Sequence, residues 1–182
     1  MPFTFLKTRI PEVILVEPAI FSDPRGHFVE LFKASEFQAN GISMAWAQIN
    51  TSWSTKHVLR GLHFQLNPEA QAKFIGVSYG EIFDVAVDIR RASPTYGQWV
   101  AERLSGDNRK MLFVPEGFAH GFCVLSDEAE VVYHCSNEYA PGLERCIRWD
   151  DPSIAISWPV KGPILSAKDS KGVFLSEVEN NF

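Results

Sequence analysis

The segment Leu59-Arg60-Gly61-Leu62-His63-Phe64-Gln65 sets a cation, a glycine, an imidazole and an amide inside a short apolar run. A strand packed wholly into a core carries none of these groups unpaired, because each would cost several kcal/mol, about 2 to 7, to bury. Such a strand must either join a polar network or line a cavity. A second segment of the same character follows at Pro115-Glu116-Gly117-Phe118-Ala119-His120-Gly121. Two polar interruptions of this kind in one small chain predict a site.

The rest of the chain reads as strands. Turn signals recur at Asp23-Pro24-Arg25-Gly26, Asn67-Pro68, Ser93-Pro94, Ser105-Gly106-Asp107-Asn108, Ala140-Pro141-Gly142 and Asp151-Pro152. Short β-type runs lie between them, at 13–16, 28–32 and 74–79. The clearest is 82–89, in which Phe83, Val85, Val87 and Ile89 alternate with Asp84, Ala86 and Asp88. Only 35–41 has helical signals, enough for one or two turns. At 182 residues the expectation is one domain spanning 1–182, mostly β, a jelly-roll-like double sheet with a few short helices.

Charge and cysteine usage narrow the function classes. A formal net charge of −5 offers no basic stripe for DNA or RNA, although a few inward-facing cations suffice for a diphosphate. Cys123, Cys135 and Cys146 are odd in number and lack metal-ligand spacing, so buried free thiols are expected. No apolar run approaches membrane-spanning length and no secretory leader is evident, which predicts a soluble, cytoplasmic protein without a membrane partner.

Within the polar segments, His63 suits a general base, since an imidazole titrates near neutrality. Arg60 suits a carboxylate or phosphate. Strict strand alternation puts the two on opposite faces, so a bulge at Gly61 or the reach of arginine is needed to bring them together. His120 shares parity with Phe122 and Val124, and Tyr133 with Val131 and Cys135, which turns both inward. On local pattern Lys73 reads as a surface lysine, and Lys168 and Asp169 as part of a solvated loop. A cupin-type metal site uses His-x-His before the later Pro-x-Gly-x-x-His. Here Gln65 stands where the second histidine belongs, which argues against a catalytic metal.

These motifs, taken in order, closely resemble the dTDP-4-dehydrorhamnose 3,5-epimerase family of the cupin superfamily. The resemblance runs from about Ile10 to Asp169. It is carried by Asp23-x-Arg25-Gly26-x-Phe28-x-Glu30, Gln48-x-Asn50, the segments around His63 and His120, Gly80 to Arg90, Ser93-Pro94-Thr95-Tyr96-Gly97-x-Trp99 and Leu165-Ser166-x-Lys168-Asp169. It implies a cupin-type jelly roll acting without cofactor or metal on a dTDP-4-keto-6-deoxyhexose. By the same resemblance His63 is the base, Asp169 its carboxylate partner, Tyr133 the acid and Lys73 the cation at the keto oxygen. Arg60, Lys73, His120 and Lys168 are implied to hold the substrate, with Gln48, Asn50 and Glu144 completing the pocket. Arg25 and Glu30 are implied to reach the site of the second subunit of a homodimer. Two departures stand out: Gly76 where relatives commonly carry arginine, and Glu138 beside Tyr139 where a tandem Tyr-Tyr is common.

Overall fold

A computed structural model of the chain describes residues 2–43 and 45–182. The strands are β1 (Phe3–Lys7), β2 (Ile14–Pro18), β3 (Ile20–Asp23), β4 (Gly26–Val29), β5 (Gln48–Thr55), β6 (Leu59–Gln65) and β7 (Lys73–Tyr79). They continue as β8 (Glu81–Asp88), β9 (Trp99–Ser105), β10 (Met111–Val114), β11 (Phe118–Val124), β12 (Glu128–Cys135) and β13 (Glu144–Cys146). One short helix, α1 (Ala34–Ala39), and a 3₁₀ turn at Asp169–Lys171 join them. Among the described residues no helix is long and apolar enough to cross a membrane.

Two antiparallel sheets face each other, as the alternating patterns anticipate. The larger has the order β1-β2-β10-β7-β12-β5 and the smaller β13-β6-β11-β8-β9, while β3 and β4 form a separate hairpin. Side chains from both inner faces fill the space between, including Leu15, Ile75, Leu112 and Val131 opposite Ile82, Ala86, Leu104 and Phe122. Burying such apolar surface supplies the main drive for the sandwich.

The outer faces are covered too, which explains why several strands are apolar on both sides. Phe83, Val85 and Val87, with Ile89 just beyond β8, pack under the C-terminal segment through Ile154, Leu175 and Val178. The region past residue 167, unreadable by periodicity, thus serves as a lid of coil over the smaller sheet. Helix α1 sets Phe37 into an aromatic cluster with Phe3, Phe5 and Phe74 on the larger sheet.

A bulge lies at the centre of the smaller sheet. Along the β6–β11 ladder His63 opposes His120 and Arg60 opposes Phe122, so β6 carries one residue more than its partner. The extra residue reverses the alternation between Arg60 and His63, so of the two ways left open by the sequence pattern the bulge is the one present. Glycine is needed on both strands. Gly61 has φ +136°, and a Cβ there would lie 2.5 Å from Gly121 Cα. A Cβ on Gly121 would meet the Arg60 carbonyl oxygen at 2.8 Å. Since backbone cannot yield as a side-chain end does, Gly61→Ala is expected to destabilise the fold by roughly 3 kcal/mol or more, read as a lower urea midpoint.

Candidate active site

The polar residues of the inner faces surround a cavity of about 290 Å³. Its lining brings together Arg60, His63, Lys73, His120, Tyr133, Glu144, Lys168 and Asp169, with Phe122, Tyr139 and Ser166. Eight of the twelve candidate residues therefore converge on one space. His63 and His120 come from the smaller sheet, Lys73 and Tyr133 from the larger, so the cavity is walled by both.

His63 and Asp169 form the tightest pair. His63 Nε2 lies 2.6 Å from Asp169 Oδ1, and the Asp169 side chain is only 4% exposed. Burial opposes ionisation of this carboxyl, but hydrogen bonds from His63 and Ser166 overcome it and hold the pKa down at about 2. An ionised carboxylate only accepts, so Nε2 carries the hydrogen and the basic lone pair resides on Nδ1. Ser166 Oγ donates to Asp169 Oδ2 at 2.6 Å and accepts from the Asp169 amide at 3.0 Å. The supposedly solvated loop is therefore a built support for the imidazole.

His120 has an equivalent arrangement deeper in the sandwich. Its Nε2 lies 2.8 Å from Asp84 Oδ1, and Asp84 is fully buried with Oδ2 lacking a partner among the described residues. Lys73 is not the surface lysine of its local pattern. Pairing of β7 with β10 and β12 turns it into the cavity, where burial lowers its pKa against the pull of Cys135, Glu144 and Asp84, and Lys168 lowers it further.

The mouth of the cavity is organised around Glu144. Lys168 pairs with its carboxylate, and Tyr139 donates its hydroxyl to the same oxygen at 2.5 Å. Burial disfavours the Glu144 charge, yet the bonds from Lys168 and Tyr139 and the nearby His63 lower its pKa. Tyr139, half exposed with Lys168 Nζ 5.9 Å from its ring centre, is a site residue that sequence reasoning passed over. Its neighbour Glu138 drew attention instead, and that side chain is exposed outside the lining.

Gln48 and Asn50 do not line the cavity. Gln48 Oε1 accepts from the Tyr139 amide at 2.8 Å, and its Nε2 donates to Asn50 Oδ1 at 2.7 Å. They act behind the wall, as supports for the Tyr139 loop. Gln65, the residue that argued against a metal, does likewise. Its Nε2 donates to the Glu69 and Glu138 carbonyls, and its Oε1 accepts from the Ala140 amide.

Arg25 and Glu30 are not brought to this cavity. Arg25 sits at the tip of the β3–β4 hairpin, its side chain 89% exposed and paired with Asp23. Gly76 lies on the opposite face of β7 from Lys73, against Met111 in an apolar hollow with Phe32 and Trp46. That departure leaves the cavity untouched. Of the three thiols, Cys123 and Cys135 are buried, but Cys146 is only half-buried, because β13 is an edge strand beside the cavity. Burial raises the Cys123 and Cys146 thiols to about 12.

The chain is similar to known proteins over nearly its whole length. A dTDP-4-dehydrorhamnose 3,5-epimerase from Shigella flexneri is 55% identical over 92% of this chain and 93% of its own length. A dTDP-4-dehydrorhamnose 3-epimerase from Streptomyces niveus is 40% identical over 91% of this chain and 80% of its own. The crystal structure of dTDP-6-deoxy-D-glucose-3,5-epimerase from Legionella pneumophila, solved with dTDP-4-keto-L-rhamnose, superposes with a TM-score of 0.94. It is 44% identical and covers 97% of this chain and 95% of that one. The family model described as dTDP-4-dehydrorhamnose 3,5-epimerase matches residues 7–177, and the chain belongs to that family.

Proposed function

We propose that this chain inverts C3 and C5 of dTDP-4-dehydro-6-deoxy-D-glucose, giving dTDP-4-dehydro-L-rhamnose for dTDP-L-rhamnose biosynthesis. The observation that carries the reading is that His63 and Tyr133, on different sheets, line one cavity. Inversion needs two proton-transfer groups on opposite sides of a carbon. The two walls of the sandwich supply them.

Both C3 and C5 flank the C4 ketone. His63 Nδ1 removes a proton from one of them, the C–H electron pair moves toward C4, and the ketone becomes an enolate. Asp169 holds the imidazole in the reactive tautomer and offsets the positive charge it gains. Lys73 stabilises the developing charge at the C4 oxygen, an interaction stronger in the transition state than with the neutral ketone. Tyr133 returns a proton from the opposite face, His63 loses its proton to solvent as Tyr133 regains one from it, and a second round inverts the other centre. The adjacent ketone supplies the acidity, so the chemistry calls for no redox cofactor. Arg60 and Lys168 carry positive charge for the diphosphate, and His120 adds a hydrogen bond.

The acting unit is a homodimer in this reading. Ile20, Phe21 and Phe28 on the β3–β4 hairpin are 42%, 56% and 66% exposed, a patch too apolar to leave in water and suited to a partner subunit. Burying that hairpin on the partner would carry Arg25 and Glu30 toward the partner's cavity. We assign the activity to the cytoplasm, whose reducing conditions suit three free thiols.

The direct test is proton NMR in D₂O with the 4-keto substrate. Deuterium is expected at both C3 and C5, and His63→Asn should slow exchange by about a thousandfold while the fold is kept. Near-normal exchange in that variant would remove His63 as base. Since one 40% identical relative is a 3-epimerase, exchange at C3 alone would reassign the chain to single-centre chemistry.

Two further outcomes are expected. The Asp169 carboxyl has a lower pKa folded than unfolded, so its stabilisation is full above about pH 4 and lost as pH falls toward 2. Asp169→Asn should flatten that part of the acid unfolding curve and depress turnover at neutral pH. For the dimer, Arg25→Ala and His63→Asn proteins, each weak alone, should regain activity when unfolded and refolded together. Mixed dimers would then hold one intact site. No recovery would place Arg25 outside the partner's cavity.

A further inference from the structure

A group beside the cavity that the proton chemistry does not use is the Cys146 thiol. On β13 this residue stands directly opposite His63 in the β6–β13 ladder. Its Sγ, a ring nitrogen of His63 and a carboxylate oxygen of Asp169 all lie within 4.8 Å of one another. We infer that His63, Cys146 and Asp169 form an inhibitory site for a thiophilic divalent cation of the zinc class, which switches the epimerase off by occupying its base.

The donor set is the reason. Imidazole nitrogen, thiolate sulfur and carboxylate oxygen are the three ligand types that zinc takes in proteins, and three protein ligands with an open fourth position are common. Tetrahedral zinc places its ligands about 3.5 Å apart, from bonds of about 2.0 to 2.3 Å. The three donors here are already near that spacing, so side-chain movement of about 1 Å closes the site. They come from two paired strands and a hydrogen-bonded turn, with Asp169 already fixed by Ser166. The fourth position opens toward the cavity because His63 and Asp169 line it.

The chemistry balances without a redox partner. The cation displaces the thiol proton to solvent and takes the place of the proton between His63 and Asp169, which moves to Nδ1 and covers the basic lone pair; one proton is released, so binding strengthens with pH. The surrounding cations Arg60, Lys73 and Lys168 oppose a metal ion, although Lys168 is already neutralised by Glu144. The charges of Asp169 and of the newly formed thiolate offset that opposition, and a harder cation such as magnesium, with no preference for sulfur, is rejected. The site differs from the His-x-His arrangement that Gln65 rules out, because its sulfur donor comes from another strand.

The test uses the whole protein with zinc chloride and, as a spectroscopic probe, cobalt chloride. Micromolar zinc should inhibit the wild type and EDTA should restore it, whereas magnesium should do neither. Cys146→Ser should keep normal activity and need at least about tenfold more zinc for the same inhibition. Cobalt should give a near-ultraviolet thiolate charge-transfer band in the wild type that Cys146→Ser lacks and His63→Asn weakens. The band is read without turnover, so its outcome stands apart from the assigned epimerase activity. Equal zinc sensitivity of wild type and Cys146→Ser, or no thiolate band with cobalt, would overturn the proposal. Cys146→Ala serves as the second variant should serine disturb the edge strand.

Discussion

The close approach of two backbones, Gly61 on β6 and Gly121 on β11, is the constraint on which the site depends. Side chains would hold the strands apart at this point. Their absence allows β6 to carry one extra residue, and that residue turns Arg60 to the same side as His63. Two polar groups three apart on a regular strand would face different layers, one of them into the packing under the C-terminal coil. The bulge turns both toward the cavity instead, Arg60 at its exposed side and His63 half-buried.

Placing charge inside a sandwich requires that each group be answered. Asp169 answers His63, Asp84 answers His120 and Glu144 answers Lys168. Among the described residues Lys73 has no single partner at hydrogen-bond distance; its charge is weakened by burial and balanced by carboxylates around it. This difference is chemically useful. A cation without a fixed partner in a buried site responds strongly to charge appearing beside it.

Much of this was legible in the residues, and the limits follow from range. Alternation in 82–89 and the inward parity of His120 and Tyr133 are local properties, and the structure has them as the pattern indicates. That Arg60 and His63 need either a bulge at Gly61 or the reach of arginine to meet was also local, but which of the two holds was not. Asp169 was different. It lies in a loop with no periodicity, 106 residues from His63, and only a family resemblance joined the two. Lys73 read as exposed because its burial comes from β10 and β12, which no window around residue 73 contains. Tyr139 escaped notice for the same reason, since its position depends on residues from three other parts of the chain.

That dependence separates two kinds of evolutionary freedom. The strands hold His63, Lys73 and Tyr133, while Tyr139 rides on a short stretch tethered through Gln48 and Gln65, with Gln71 bonding the Asn137 carbonyl just before it. Amide side chains grip main-chain atoms, so the identity of the gripped residues is left open. Substitutions at Tyr139, which lines the mouth, can alter what the cavity admits without disturbing the walls that carry His63 and Tyr133. A lineage can thus explore new substrates while its reaction stays constant.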